Sequence, residues 1–217
     1  MKFNIAHAGI KVDADGTILE DRIEARIQGS PGIARREEVH YVDVSPQQAI
    51  SIATSLIPCL ENDDANRALM GSNMQRQAVP CIKAQAPLVS TGVESKAARD
   101  SGRVILAEED GVIEEVDARH INVRGKSGKL YEYPFVSFQR TNAFTVIRQV
   151  AVAMPNQKVK KGDVLADSSS TDQGDLALGQ NVLVAFVSWS GANYEDAIIL
   201  SERLLKDDRY TSIHIED

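Results

Sequence analysis

Between Glu61 and Pro80 the chain crowds amides, acids and two arginines around a thin apolar stripe. Arg67 and Arg76 stand nine residues apart, with Asn66, Asn73, Gln75 and Gln77 beside and between them. Guanidinium forks match phosphate oxygens in two-point geometry, and amides offer both donors and acceptors to ribose and backbone groups. The competing reading is a solvated helix face whose arginines pair with Glu61, Asp63 and Asp64, an arrangement that is common and weak. A second group runs from Trp189 to Asp196, where Glu195 and Asp196 follow a turn containing Gly191 at the end of an apolar run. Adjacent carboxylates at a corner cannot disperse their charge and invite a hard cation such as magnesium, with water completing its shell. Against this stands a simpler role, two acids favouring the positive N-terminus of a following helix. On local pattern alone the simpler reading is preferred at both places.

The elements that must carry these groups can be read from periodicity. The first 44 residues alternate apolar and polar side chains, with turn signals at Asp15-Gly16 and from Gly29 to Gly32, which predicts a small β-rich module of hairpins. Ser45 and Pro46 form a helix start, Gln47 to Ile57 has helical apolar spacing, and Pro58 ends it. Asn62 or Asp63 is expected to cap a second helix running through Arg67 and Met70, bent or broken at Gly71. On that helix Asn66, Met70, Asn73 and Gln77 fall along one side, with Arg67 beside the row.

From Ala86 to Asp167 short strands are expected at Arg103 to Ala107, Val112 to Val116, His120 to Val123, Leu130 to Tyr133 and Val164 to Ala166. Close spacing of short strands favours a barrel or sandwich-barrel hybrid over a parallel sheet. Asn181 to Trp189 reads as a buried strand, Asp196 to Leu205 as helix, and Tyr210 to Ile215 as strand. The fold class is thus α+β, predominantly β, with barrel or sandwich-barrel strands and a few short helices. The domain reading is a β-rich module over 1–44, a helical segment over 45–85 and a β-barrel or sandwich-hybrid region over 86–217.

Composition limits the functions available. The 217 residues are 43% hydrophobic and 25% charged, ordinary for a globular protein. A net charge of −7 argues against a free-standing nucleic-acid binder, so any such role is local or shared with other chains. Cys59 and Cys81 lie in no CxxC and near no histidine pair, which argues against a structural zinc site. No apolar run approaches the ~20 residues of a membrane span and the start has no signal-peptide core, so the expected location is cytoplasmic. Lys158 to Leu165 resembles the turn of biotinyl and lipoyl carriers, but no hairpin lysine stands ready for modification. That likeness supports a barrel-sandwich backbone, not carrier chemistry.

Several blocks, in order, resemble the β subunit of bacterial DNA-directed RNA polymerase: Glu61 to Pro80, Pro87 to Gly92, Ala97 to Gly102, Gly162 to Asp167, Ser170 to Gly179 and Asn193 to Asp196. The resemblance covers the chain from about Tyr41 onward, and the first 40 residues fit the family's small external module more loosely. It implies template-directed nucleotidyl transfer by a two-metal mechanism. Arg67 then matches an arginine that contacts the incoming triphosphate, and Asn73, Arg76 and Gln77 match positions near the RNA end and the RNA-DNA hybrid. Glu195 and Asp196 match the catalytic acidic pair near the second Mg2+, which Asp196 reaches through water. The resemblance also implies β′, α and other polymerase subunits, sigma factor, DNA template, nascent RNA and ribonucleoside triphosphates as partners, with no membrane.

The primary Mg2+ belongs to β′ in that family, and no Asp-Phe-Asp-Gly-Asp run occurs here. The chain is far shorter than a complete β subunit and is expected to be inactive alone. It also departs from the family pattern at three places. Ala192 stands where tyrosine is usual, Ser188 and Ser190 flank Trp189 where proline usually precedes the tryptophan, and Ser168-Ser169 replaces a common Gly-Pro. The alternative function is a non-catalytic interaction module, derived from the β subunit, that binds a regulator or a polymerase subunit.

Overall fold

The computed structural model describes residues 3–216 and divides into two compact units, one running to Ser51 and the other from Ile52. In the first, β1 (Ile5–Ala6), β2 (Arg22–Ile27), β3 (Ser30–Arg35) and β4 (Tyr41–Val42) form one sheet in the order β3-β2-β1-β4. Alternation along β2 turns Ile23 and Ala25 inward, and Ile23 packs with Ala6 and Ile10 in a small core. The β2–β3 loop is the two residues Gln28 and Gly29, both at positive φ (54° and 100°). That backbone matches the right-handed strand twist, so the turn closes earlier than the glycine-proline cluster suggests and Ser30 to Gly32 join β3. Pro31 can stand in β3 because this is an edge strand.

The helix expected over Gln47 to Ile57 is instead two pieces, a 3-10 turn at Pro46–Ala49 and α1 (Ile52–Ser55). Ser45 caps the first through Gln47 N at 3.1 Å, but Ile50 is extended (φ −105°, ψ 131°) and interrupts the run. Ile50 and Ile52 are both exposed, so no core contact favours one continuous helix. α2 (Ala65–Gln75) is capped by Asp64, not by Asn62 or Asp63, because Leu60–Asn62 closes its own 3-10 turn and leaves Asp63 extended. Asp64 accepts from Asn66 N at 3.1 Å. The helix continues unbroken through Gly71.

An additional helix, α3 (Val93–Asp100), was not expected. Its first turn is organised by Glu94, only 6% exposed, whose carboxylate accepts from Thr91 N (2.9 Å), Thr91 Oγ1 (3.3 Å) and Gly92 N (2.8 Å). Burial pushes this carboxyl up, but those hydrogen bonds outweigh it and hold the group below its usual range.

The β-rich remainder follows the predicted strands closely. β5 (Ile105–Leu106), β6 (Gly111–Val116), β7 (His120–Gly125) and β8 (Leu130–Pro134) appear in turn. Next come β9 (Gln139–Arg140), β10 (Val146–Ile147), β11 (Val150–Ala151), β12 (Lys158–Val159) and β13 (Val164–Asp167). β14 (Thr171–Asp172) and β15 (Asp175–Leu176) form a short hairpin. The main sheet has the order β12-β6-β7-β8, and β11-β13-β5 forms a second. Ile113, Ile121, Val123, Val159 and Leu165 meet in one core. Gly111 is required where β6 crosses β7, since a Cβ there would run into the Arg124 carbonyl. At the β7–β8 turn Glu109 accepts from the Ser127 hydroxyl (2.7 Å), the Ser127 amide (2.9 Å) and Tyr131 OH (2.9 Å). These bonds, led by the Ser127 hydroxyl, hold its carboxyl below the usual range.

The fold is therefore mixed and predominantly β. Its sheets are small and open, and none closes into a barrel among the described residues. Residues 181–216 depart most from expectation. Asn181 to Trp189 is neither strand nor buried: Leu183 is 101% exposed and Phe186 99%. An apolar strand needs ladder partners and a covering face, and the described residues supply neither. The expected helix from Asp196 shrinks to α4 (Glu202–Lys206), and the expected strand over Tyr210 to Ile215 to a single bridge between His214 and Thr145.

Candidate nucleotide and acidic-corner site

α2 presents the first group. Ala68 and Ser72, one turn apart, are buried, which leaves Asn66, Arg67, Met70 and Met74 exposed and Asn73 half-buried. Arg67 contacts the Met70 sulfur at 3.9 Å and pairs with no carboxylate among the described residues. The expected pairing with Glu61, Asp63 or Asp64 does not form. Arg76 is the C-cap residue and its Nη2 donates to Asn73 Oδ1, so the helix end carries one arginine already oriented by an amide. Gln77 follows with its backbone turned back onto Met74 O at 3.0 Å, and its side chain is exposed.

The second group lies on the extended apolar run. Ala192 N reaches Trp189 O (2.9 Å), Tyr194 N reaches Gly191 O (3.2 Å) and Ala197 N reaches Tyr194 O (3.2 Å), giving three consecutive tight turns. Ser190, Gly191 and Glu195 all take positive φ (49°, 78° and 55°). For Glu195 and Ser190 that conformation carries a cost of roughly 1–2 kcal/mol each. Asn193 is the residue that sequence reasoning missed: its Oδ1 accepts from Trp189 N at 2.9 Å and its Nδ2 donates to Val187 O at 2.7 Å. An asparagine so close to a glycine turn is the signal that could have flagged it, because its side chain imitates a backbone peptide. Glu195 and Asp196 are exposed and accept no hydrogen bond among the described residues. No helix N-terminus receives them, since α4 begins only at Glu202 under a Ser201 cap.

The two groups ride on segments that are fastened together. Beyond α2, Gln85 N bonds Gly179 O (3.0 Å), Asn181 Nδ2 bonds Ala86 O (2.8 Å), and Ile82 N bonds Thr211 O (2.9 Å). The chain following Arg76 and Gln77 is thus stitched to both ends of the stretch that bears the acidic corner. No hydrogen bond or ion pair among the described residues joins Arg67 to Glu195 or Asp196. Of the departures from the family pattern, Ser169 is integrated, its Oγ donating to Val146 O (2.7 Å) and accepting from Arg148 N (3.2 Å). Ser168 is buried with no partner for its Oγ among the described residues.

Set against known proteins, the sequence falls within the class of RNA polymerase β subunits. Residues 106–217 match the family model "RNA polymerase Rpb2, domain 6", and residues 1–45 match "RNA polymerase beta subunit external 1 domain". Similar curated proteins include the DNA-directed RNA polymerase subunit beta of Spiroplasma citri, 55% identical over 98% of this chain and 16% of that protein. Those of Enterococcus faecium (53%, over 98% of this chain and 18% of that protein) and Gloeobacter violaceus (52%, over 99% and 19%) are comparable. The chain belongs to the RNA polymerase β subunit family, and it spans roughly a sixth to a fifth of the length of these relatives. No helix among the described residues is long and apolar enough to cross a membrane.

Proposed function

We propose that this segment serves within the β subunit of a DNA-directed RNA polymerase in the cytoplasm, and that it contributes nucleotide, hybrid and second-metal contacts to DNA-templated RNA synthesis. The observation that carries the reading is the unpaired guanidinium of Arg67 on the exposed face of α2, in a chain of this family. A cation left without a carboxylate partner is available to an incoming triphosphate. Asn73, Arg76 and Gln77, one to three turns further along, are available to RNA and the hybrid. In this division of labour the module of 1–44 is peripheral, 45–85 lines the nucleotide and hybrid site, and 86–217 opens the catalytic core region. The partners are β′, α and the other subunits, sigma factor, template, transcript and ribonucleoside triphosphates.

For Mg2+ the donor chemistry of the corner is compatible with an outer, water-mediated role. Glu195 and Asp196 offer two adjacent, unengaged carboxylates, while no group of three or more ligating side chains occurs among the described residues. Acting through water, Glu195 and Asp196 would hold such an ion only together with ligands that water and the triphosphate supply. The ion, when bound, offsets charge on the reacting phosphates. Asp196 and Glu195 orient its water shell, and Arg67 binds the triphosphate and balances part of its charge.

The test is Arg67→Ala in the full β subunit reconstituted with its partner subunits, read by single-nucleotide addition. Loss of one charge-assisted interaction of about 1.5–3 kcal/mol should weaken apparent nucleotide affinity by about ten- to a hundredfold. An unchanged affinity and rate would remove the triphosphate role.

A further inference from the structure

We propose that Asn193 is a positioning residue for the acidic corner, setting the geometry through which Glu195 and Asp196 act on magnesium; this rests on the metal-orienting role assigned to those acids above. The corner is built in a stretch with no strand or helix from Asn181 to Leu200, and its apolar side chains are largely exposed. Core packing therefore does not fix where the two carboxylates point. Yet Glu195 is held at φ 55°, a conformation a glutamate leaves unless something over-determines it.

The restraint comes from Asn193. Its carboxamide reaches back across the turn and satisfies two backbone groups on the incoming arm, taking Trp189 N at 2.9 Å and giving to Val187 O at 2.7 Å. Both ends of one planar amide are used, which fixes its rotation as well as its position. The turn bonds Ala192 N to Trp189 O, Tyr194 N to Gly191 O and Ala197 N to Tyr194 O then relay that register to residues 195 and 196. Asparagine meets these demands: it is short enough to fold back four residues, and it carries one donor and one acceptor. Aspartate would keep an acceptor for Trp189 N but set a carboxylate oxygen against the Val187 carbonyl. Serine's hydroxyl can both donate and accept, but its single oxygen on a shorter side chain does not span the two groups as the amide does.

The experiment uses the full β subunit in reconstituted polymerase and compares wild type, Asn193→Ala, Asn193→Asp, Asn193→Ser, Asp196→Ala and the double variant Asn193→Ala/Asp196→Ala. Single-nucleotide addition is measured across a Mg2+ titration, with subunit assembly and limited proteolysis as checks on folding. Asn193→Ala is expected to raise half-saturating Mg2+ by about tenfold, the scale of losing two modest hydrogen bonds. High Mg2+ should restore most of the rate. Asn193→Ser should fall between wild type and alanine, and the double variant should be no worse than Asp196→Ala alone.

If Asp196→Ala is impaired while all three Asn193 variants titrate like wild type, the inference is overturned and the role of the acids stands. A uniform rate loss at every Mg2+ level that adds fully to Asp196→Ala marks a merely structural asparagine, which also overturns it. If Asp196→Ala itself matches wild type throughout, the reading of the acids fails and the positioning role goes with it. Should the alanine variant fail to assemble, the Asn193→Ser and Asn193→Asp titrations decide the matter on the same criteria.

Discussion

Glu94 offers a measurement in which charge, burial and helix capping separate cleanly. Its carboxylate is 6% exposed and takes two backbone amides and one hydroxyl at the start of α3. Charge-assisted bonds of this kind contribute about 1.5–3 kcal/mol each, and removing the acceptor also leaves Thr91 N and Gly92 N without a partner. Part of the gain is offset by the cost of burying the charge. Glu94→Ala is therefore expected to destabilise the α3 region by about 3 kcal/mol, and Glu94→Gln by about 2 kcal/mol, since the amide keeps one acceptor but opposes a donor with a donor.

The folded-state pKa of Glu94 is depressed, so its stabilising effect is fully present above the unfolded-state value near ~4.3 and is lost as pH falls through the lower folded-state value. Hydrogen exchange at the Thr91 and Gly92 amides, followed by NMR at several pH values, reads the local free energy directly. Wild type should be much better protected than Glu94→Gln from pH 7 down to about 5 and should converge on it below the folded-state pKa. A wild-type advantage under ~0.5 kcal/mol at pH 7, or one that persists unchanged into strong acid, would refute the assignment of this stability to a buried, ionised cap.

Three other outcomes follow from the same structure. Leu165 is 0% exposed at the centre of the main core, so Leu165→Ala should cost about 2–5 kcal/mol in urea unfolding followed by circular dichroism. Gly111→Ala forces a methyl against the Arg124 carbonyl, a backbone atom that cannot swing away, and should cost at least ~2 kcal/mol by the same measurement despite adding only one carbon. Because Arg67 is exposed and its one side-chain hydrogen bond among the described residues is to the Met70 sulfur, Arg67→Ala should leave the thermal midpoint of the isolated chain within about 2 °C of wild type while it alters nucleotide addition in the assembled enzyme.

How far such features could be read in advance depended on whether their causes were local. β6, β7, β8 and β13 were legible because alternation and turn residues coincide with the pairing they make inside this chain. α3 was not, because the apolar side of Val93 to Asp100 is only Val93, Ala97 and Ala98, and its cap is a glutamate two residues into the helix, a less familiar signal than serine or aspartate. The run from Asn181 to Trp189 departs from the strand its sequence predicts for the opposite reason: an apolar segment looks the same in sequence whether or not its partners are at hand. At the candidate site, residue types and spacing alone favour a solvated helix face and a helix N-terminus; only the resemblance to the β subunit family singles out Arg67, Arg76, Glu195 and Asp196. The freedom of Arg67 from its acidic neighbours depended on where Asp64 turned its side chain, to the helix cap. The bracket made by Asn193 depended on a fold-back that no periodicity encodes.

The exposed stretch from Val182 to Leu200 also sets the colloidal character of the isolated chain. With Leu183, Phe186, Ile198 and Leu200 all facing solvent, this segment offers the isolated chain an apolar surface of the kind that favours association. Because Asn193 holds the acidic corner through backbone groups, Leu183 and Phe186 can be exchanged for polar residues without touching that bracket. A soluble variant for spectroscopy and an intact acidic corner are therefore compatible aims in one molecule.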